Sequence, residues 1–162
     1  MSGQPQFPGF ITFDVTGMGV TEPSGAWTPS TVIPRNQPFT LSCTFQIGEL
    51  FGRGLNDLPP TGPPVFEYNV TYYAESLGPG PDYKFPVGNA NVTLAVGCIR
   101  GQYSYGSAET SFTVPANTLQ ANSYELSCRV KMSPAAPPPG SAGFPWHVTG
   151  FVQGPTIDVY EP

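Results

Sequence analysis

Two stretches of this chain alternate apolar and polar residues without a break, and that alternation limits the fold more than anything else in the sequence. In the first, Phe39, Leu41, Cys43, Phe45 and Ile47 alternate with Thr40, Ser42, Thr44 and Gln46. In the second, Tyr124, Leu126, Cys128, Val130 and Met132 alternate with Glu125, Ser127, Arg129 and Lys131. Successive side chains of an extended chain point to opposite sides, so a period of two describes a strand with one buried face. The same pattern on a helix would scatter the apolar groups around its circumference. Each such strand needs a second layer over its apolar face, and the economical solution is an all-β sandwich.

Weaker signals of the same kind fill in the rest. Residues 10–15 read as a first strand with Phe13 and Val15 on one face, and Val32 and Ile33 as a short extended piece. Residues 65–76 put Phe66, Tyr68, Val70 and Tyr72 inward, and Val92, Leu94, Val96 and Cys98 form the next inward set. Residues 111–114, 146–152 and 155–160 complete seven to nine short strands, the number expected of a sandwich. The 162 residues include 19 Gly and 21 Pro, about a quarter of the chain and roughly twice average usage. With aromatics at 13%, that excess reads as turn residues between strands and not as disorder. One domain spanning 1–162 is expected, with residues 1–9 as an N-terminal arm.

One local arrangement is more specific. Val114-Pro115 leads through Asn117 and Leu119 to Tyr124, which opens the second alternating strand. A strand, a corner with an anchoring Leu and then a Tyr resembles the tyrosine corner of immunoglobulin-like and fibronectin type III-like β-sandwiches. The resemblance implies an antiparallel two-sheet sandwich with an immunoglobulin-like Greek key, in which Leu119 and Tyr124 hold the corner. It also implies that Cys43 and Cys128 occupy the positions where immunoglobulin domains carry their inter-sheet disulfide. The residues themselves leave a second reading open, in which Cys43, Cys98 and Cys128 are three buried thiols packing as small apolar groups. The Tyr-to-Cys spacing is four here, against two in the family, and no Trp lies on the strand at residues 65–76.

Composition then excludes function classes. Charged residues make up 10% of the chain, against about 25% in ordinary domains, and the net charge is −5. The 6 basic residues, Arg35, Arg53, Lys84, Arg100, Arg129 and Lys131, are spread along the sequence, without the clustered footprint that phosphate neutralisation needs. Nucleic acid is therefore not an expected partner. No apolar run is long enough for a transmembrane helix. The first residues lack a secretory signal, which favours the cytoplasm unless the chain is the mature form of a secreted protein.

A catalytic set is also missing from the sequence. His147 is the single histidine, no G-x-S-x-G elbow is present, and no two cysteines have C-x-x-C spacing. The 11 acidic residues are dispersed. Gly78-Pro79-Gly80-Pro81-Asp82 is a turn, because its prolines remove the amide donors a phosphate loop uses. Neither metal nor cofactor is expected, and the chain reads as a non-enzyme.

Under the resemblance, connections 48–64, 101–109 and 133–145 gather at one end of the sandwich. They bring Leu50, Phe51, Arg53, Tyr103, Tyr105 and Phe144, with Trp146 just beyond, to a candidate binding end. Aromatic and Arg side chains are the usual hot-spot residues. Low charge lessens the desolvation cost of close packing. The expectation is a protein–protein interaction or self-assembly module whose partner is a copy of itself. The alternative is a carbohydrate-binding module that stacks sugar rings on Tyr103, Tyr105, Trp27 or Trp146.

Overall fold

The computed structural model describes residues 11–22, 31–49, 65–93, 102–105, 110–134 and 148–162. In chain order the strands are β1 (Ile11–Thr21), β2 (Val32–Pro34), β3 (Phe39–Glu49), β4 (Val65–Ser76), β5 (Tyr83–Thr93), β6 (Gln102–Tyr105), β7 (Phe112–Val114), β8 (Asn122–Pro134) and β9 (Val148–Tyr160). They form two sheets. The smaller is built on β3, which pairs antiparallel with β1 along one side. Along its other side β3 pairs with β6 at residues 45–48 and with β7 at residues 39–41. The larger sheet has the order β2-β9-β8-β4-β5.

The two strictly alternating stretches sit at the centres of these sheets, and their apolar sides face each other. Phe39, Leu41, Cys43 and Phe45 from β3 are buried, as are Tyr124, Leu126, Cys128 and Val130 from β8. Tyr68, Val70, Tyr72 and Ala74 of β4 and Ile157 and Val159 of β9 complete the larger sheet's inner side. Ring contacts fix how the layers align: Phe45 meets Tyr68 at 5.3 Å between centroids, and Phe112 meets Phe85 at 5.5 Å. The strand ends at Glu49, Val65, Thr93, Gln102, Pro134 and Val148 therefore lie toward the same end of the sandwich.

The corner between β7 and β8 closes the opposite end. Tyr124 is fully buried, and its hydroxyl donates to the Gln120 carbonyl at 3.1 Å. Leu119 is buried beside it. Asn117 takes a left-handed conformation (φ 61°), which Asn tolerates better than most residues, and its N–H reaches the Arg35 carbonyl at 2.7 Å. This last bond ties the corner to the link between β2 and β3.

Several expectations need correction. The larger sheet is mixed, because β2 runs parallel to β9. The chain leaves the smaller sheet after Thr21 and re-enters the larger one at Val32, in the same direction as β9. The first strand does not stop at Val15; a bulge between Val15 and Gly17 resets the parity, so Met18 and Val20 continue the apolar side. The fifth strand starts at Tyr83, well before Val92, and Leu94, Val96 and Cys98 lie outside the described residues. The two C-terminal pieces are one strand, whose Gly154-Pro155 segment has no partner in the β8 ladder. A Cβ at Gly154 would stand 2.7 Å from Met18 Sδ, so glycine allows β1 to close over β9.

Removing the Tyr124 hydroxyl isolates the corner bond from core packing. Tyr124→Phe is expected to cost about 1 kcal/mol, and Leu119→Ala about 2–5 kcal/mol through the cavity it leaves. Urea unfolding curves measure both, and equal losses would contradict the separation of hydrogen bond from packing.

Candidate functional site

Polar side chains inside the sandwich are few, and they converge on Cys43. Between the segments paired with β6 and β7, β3 has no strand partner on that side at Cys43. The hydroxyl of Thr110, which is fully buried, takes that place: it accepts from Cys43 N–H at 3.1 Å and donates to the Cys43 carbonyl at 2.5 Å. A single side chain thus satisfies both backbone groups of a buried residue, which would be costly to leave unpaired. The carbonyl of Thr110 in turn accepts the Tyr72 hydroxyl at 2.7 Å. Tyr72 belongs to β4 in the other sheet, so this bond crosses the core.

Tyr72 stands directly beside Cys128 in the ladder, and the buried Cys43 and Cys128 thiols face each other across the sandwich. Both are free thiols in this structure. Their contact moves them in opposite directions. The neighbouring Cys128 lowers Cys43 more than burial raises it and holds Cys43 at about 7. The same contact, together with burial, pushes Cys128 up. Burial raises the Tyr72 hydroxyl well above its ordinary value, with Cys43 adding to the effect. Tyr124 is raised by burial and by its neighbour Tyr83.

The outer sides of the two sheets differ sharply. On the smaller sheet it is small and polar: the Thr40 and Thr113 hydroxyls meet at 3.2 Å, and Thr16 donates to the Thr44 carbonyl. On the larger sheet Phe151 of β9 is 65% exposed and lies directly opposite Arg129 of β8. The Arg129 guanidinium lies 5.9 Å from the centroid of the Tyr73 ring on β4, a cation–π distance. Tyr73 is opposite Lys84 of β5, and Arg129 is followed two residues later by exposed Lys131. Small residues lie between these long ones: Thr71 and Ser127 are 2% and 7% exposed.

Along β8, charge on this side is segregated, although Glu67 of β4 shares the parity and the end of the basic half. Arg129 and Lys131 mark its half nearer the Val65 end of β4. Toward the corner, Glu75 and Glu125 face each other across β4 and β8. Asp158 follows on β9, accepting from Ser123, while Glu125 accepts from Gln153. Among the described residues no ion pair joins the two halves.

The residues singled out from sequence are placed unevenly. Tyr103 and Tyr105 are not on a loop: they belong to β6, opposite Ile47 and Phe45. The 45–48 half of β3 has a free side at which a strand can pair, and residues 102–105 fill it. Phe51, Arg53, Phe144 and Trp146, as well as Trp27 and His147, lie outside the described residues. Sequence reading missed Phe151, Tyr73 and the grouping of Lys84, Arg129 and Lys131. The signal for Phe151 was its parity: Val152 is the residue opposite Cys128, so Phe151 points outward. No group of three or more His, Cys, Asp or Glu suited to a metal occurs among the described residues.

The raised hydroxyls and the Cys128 thiol make the fold sensitive to alkali. A group whose folded pKa is raised contributes stability that is complete below its unfolded value and is lost as pH rises above it. For the tyrosines that loss begins near 10.0. Cys43 acts in the opposite sense, but only between about 7 and 9.0. Urea midpoints are expected to fall above pH 9, where the unfolded chain first loses the Cys128 proton, and more steeply above pH 10, with each retained proton contributing about 1.4 kcal/mol per pH unit. Tyr72→Phe is expected to lose about 1–2 kcal/mol at neutral pH and to show a shallower alkaline decline. Parallel declines would mean that Tyr72 is not a retained proton.

No protein-family model matches the chain and no curated protein matches it, so the functional reading rests on the geometry.

Proposed function

We propose that the chain is a non-catalytic protein–protein interaction and self-assembly module built as an immunoglobulin-like Greek-key sandwich, and that it binds through the outer side of β9, β8, β4 and β5. The strand neighbours support the fold reading. Taking β3 as strand B, β4 as C and β8 as F makes the larger sheet G-F-C with an added C′, and the smaller one A-B-E. The Tyr124–Gln120 bond agrees with a tyrosine corner at the E–F connection.

The observation that carries the functional reading is Phe151, 65% exposed beside Arg129, whose guanidinium reaches the Tyr73 ring. Fully burying a Phe side chain gains about 1.5–3 kcal/mol, and most of that gain is still available at Phe151. Aromatic and Arg side chains held in a rigid ladder lose little entropy on binding. The described sheet edges are poorer binding surfaces. In β5, Pro86 has no amide hydrogen to donate and Lys84 adds charge; β1 is bulged; β2 is three residues long and ends in Pro34. These are features that discourage edge-to-edge pairing and leave a sheet's flat side for association.

Sedimentation velocity at high micromolar concentration tests this. Wild type is expected to sediment above its 17.3 kDa monomer mass, and Phe151→Asp as the monomer. Melting of the variant should be nearly unchanged, since surface substitutions generally shift stability by less than about 0.5 kcal/mol. A wild type that stays monomeric would remove the basis for assembly.

A further inference from the structure

We infer that the partner on this sheet is a second copy of the chain, docked face to face about a two-fold axis that lies in the interface and runs across the strands along the Ser127–Tyr73 row. The inference rests on the interaction reading above and adds the identity of the partner and its orientation.

The charge pattern selects the axis. Along β8, Glu125 and Arg129 lie two residues to either side of Ser127, so they are equidistant from that row and roughly 13 Å apart. Rotation about an axis along the row inverts position along the strands and keeps position across them. Arg129 of one copy then lies over Glu125 of the other, and the reverse contact forms at the same time, as an isologous interface requires. Glu75, opposite Glu125, comes within reach of the same cation. A two-fold axis parallel to the strands would keep the halves in register and set like charges over like. A parallel shift without a two-fold would leave one basic half exposed.

The packing agrees with that choice. Glu75 and Glu125 are like charges directly opposed on neighbouring strands, an arrangement that is unfavourable in an isolated sheet. No described cation forms an ion pair with either, and an arriving Arg129 would relieve the repulsion. The Ser127–Tyr73 row continues to exposed Lys84 on the edge strand β5, where the lysines of the two copies face each other beside solvent. Ser127 on the axis and Thr71 one row away stand low enough for the sheets to approach at their centre. Phe151 is then covered by the partner's β9. Four strands about 4.8 Å apart and some eleven residues long span roughly 19 by 36 Å, close to the ~800 Å² per partner of a standard interface.

Charge reversal and its rescue test the orientation, read by sedimentation equilibrium. Arg129→Glu and Glu125→Arg are each expected to raise the dimer Kd at least about tenfold, and the double variant to recover most of that loss. Raising salt should weaken the wild-type dimer, and no species larger than a dimer should form. Both positions carry exposed or half-exposed side chains, and thermal melts confirm that each variant folds. If wild type associates and Phe151→Asp separates it, but the double charge swap rescues nothing, the two-fold arrangement is wrong while the interaction reading stands. Growth into open polymers would overturn the two-fold arrangement in the same way. A monomeric wild type would overturn both.

Discussion

The hydrogen-bonded path from Cys43 through Thr110 to Tyr72 is the constraint on which the rest of the sandwich depends. Two sheets held only by apolar contact can slide by a residue pair with little loss of buried area. A directional bond in a dry core cannot follow such a slip without leaving an orphaned polar group. Tyr72 has the length to reach from one sheet to the other, where its hydroxyl donates to a backbone carbonyl. That carbonyl belongs to Thr110, whose own side chain is occupied by Cys43. The register of Tyr72 against Cys128 then brings the two thiols together.

From that fixed core the outer surface follows by alternation. Once Tyr124, Leu126, Cys128 and Val130 are held inward, Glu125, Ser127, Arg129 and Lys131 have no choice but the opposite side. Tyr72 inward forces Tyr73 outward, where it lies under Arg129. Val152 beside Cys128 forces Phe151 outward. The proposed binding surface is thus the other side of the same ladder that holds the thiol pair, and a change in core register would disperse it.

Much of this was legible beforehand, and the failures have physical causes. The span of β4 and the alternation of β3 and β8 were evident because one buried and one exposed side leaves a period of two. The extension of β1 was hidden by its bulge, which breaks the period at Gly17. The strand at residues 102–105 was read as a loop because a four-residue segment carries too little pattern. Its conformation comes from a vacant side of β3, a non-local cause. The parallel pairing of β2 escaped notice for the same reason: three residues cannot announce which neighbour they will join.

The candidate surface divides along the same line. By itself the sequence determined which residues of each strand share a side, because parity is a local property of extended backbone. It also determined that charges are scarce, since composition is independent of fold. It could not decide which strands become neighbours, and there the scattered basic residues changed meaning. Lys84, Arg129 and Lys131 lie up to 47 positions apart in the chain yet fall on one side of one sheet, because β4 brings β5 and β8 together. Tertiary structure alone set Phe151 opposite Arg129 and Glu75 opposite Glu125. Cross-strand pairing is a long-range contact, and no window of sequence contains both partners.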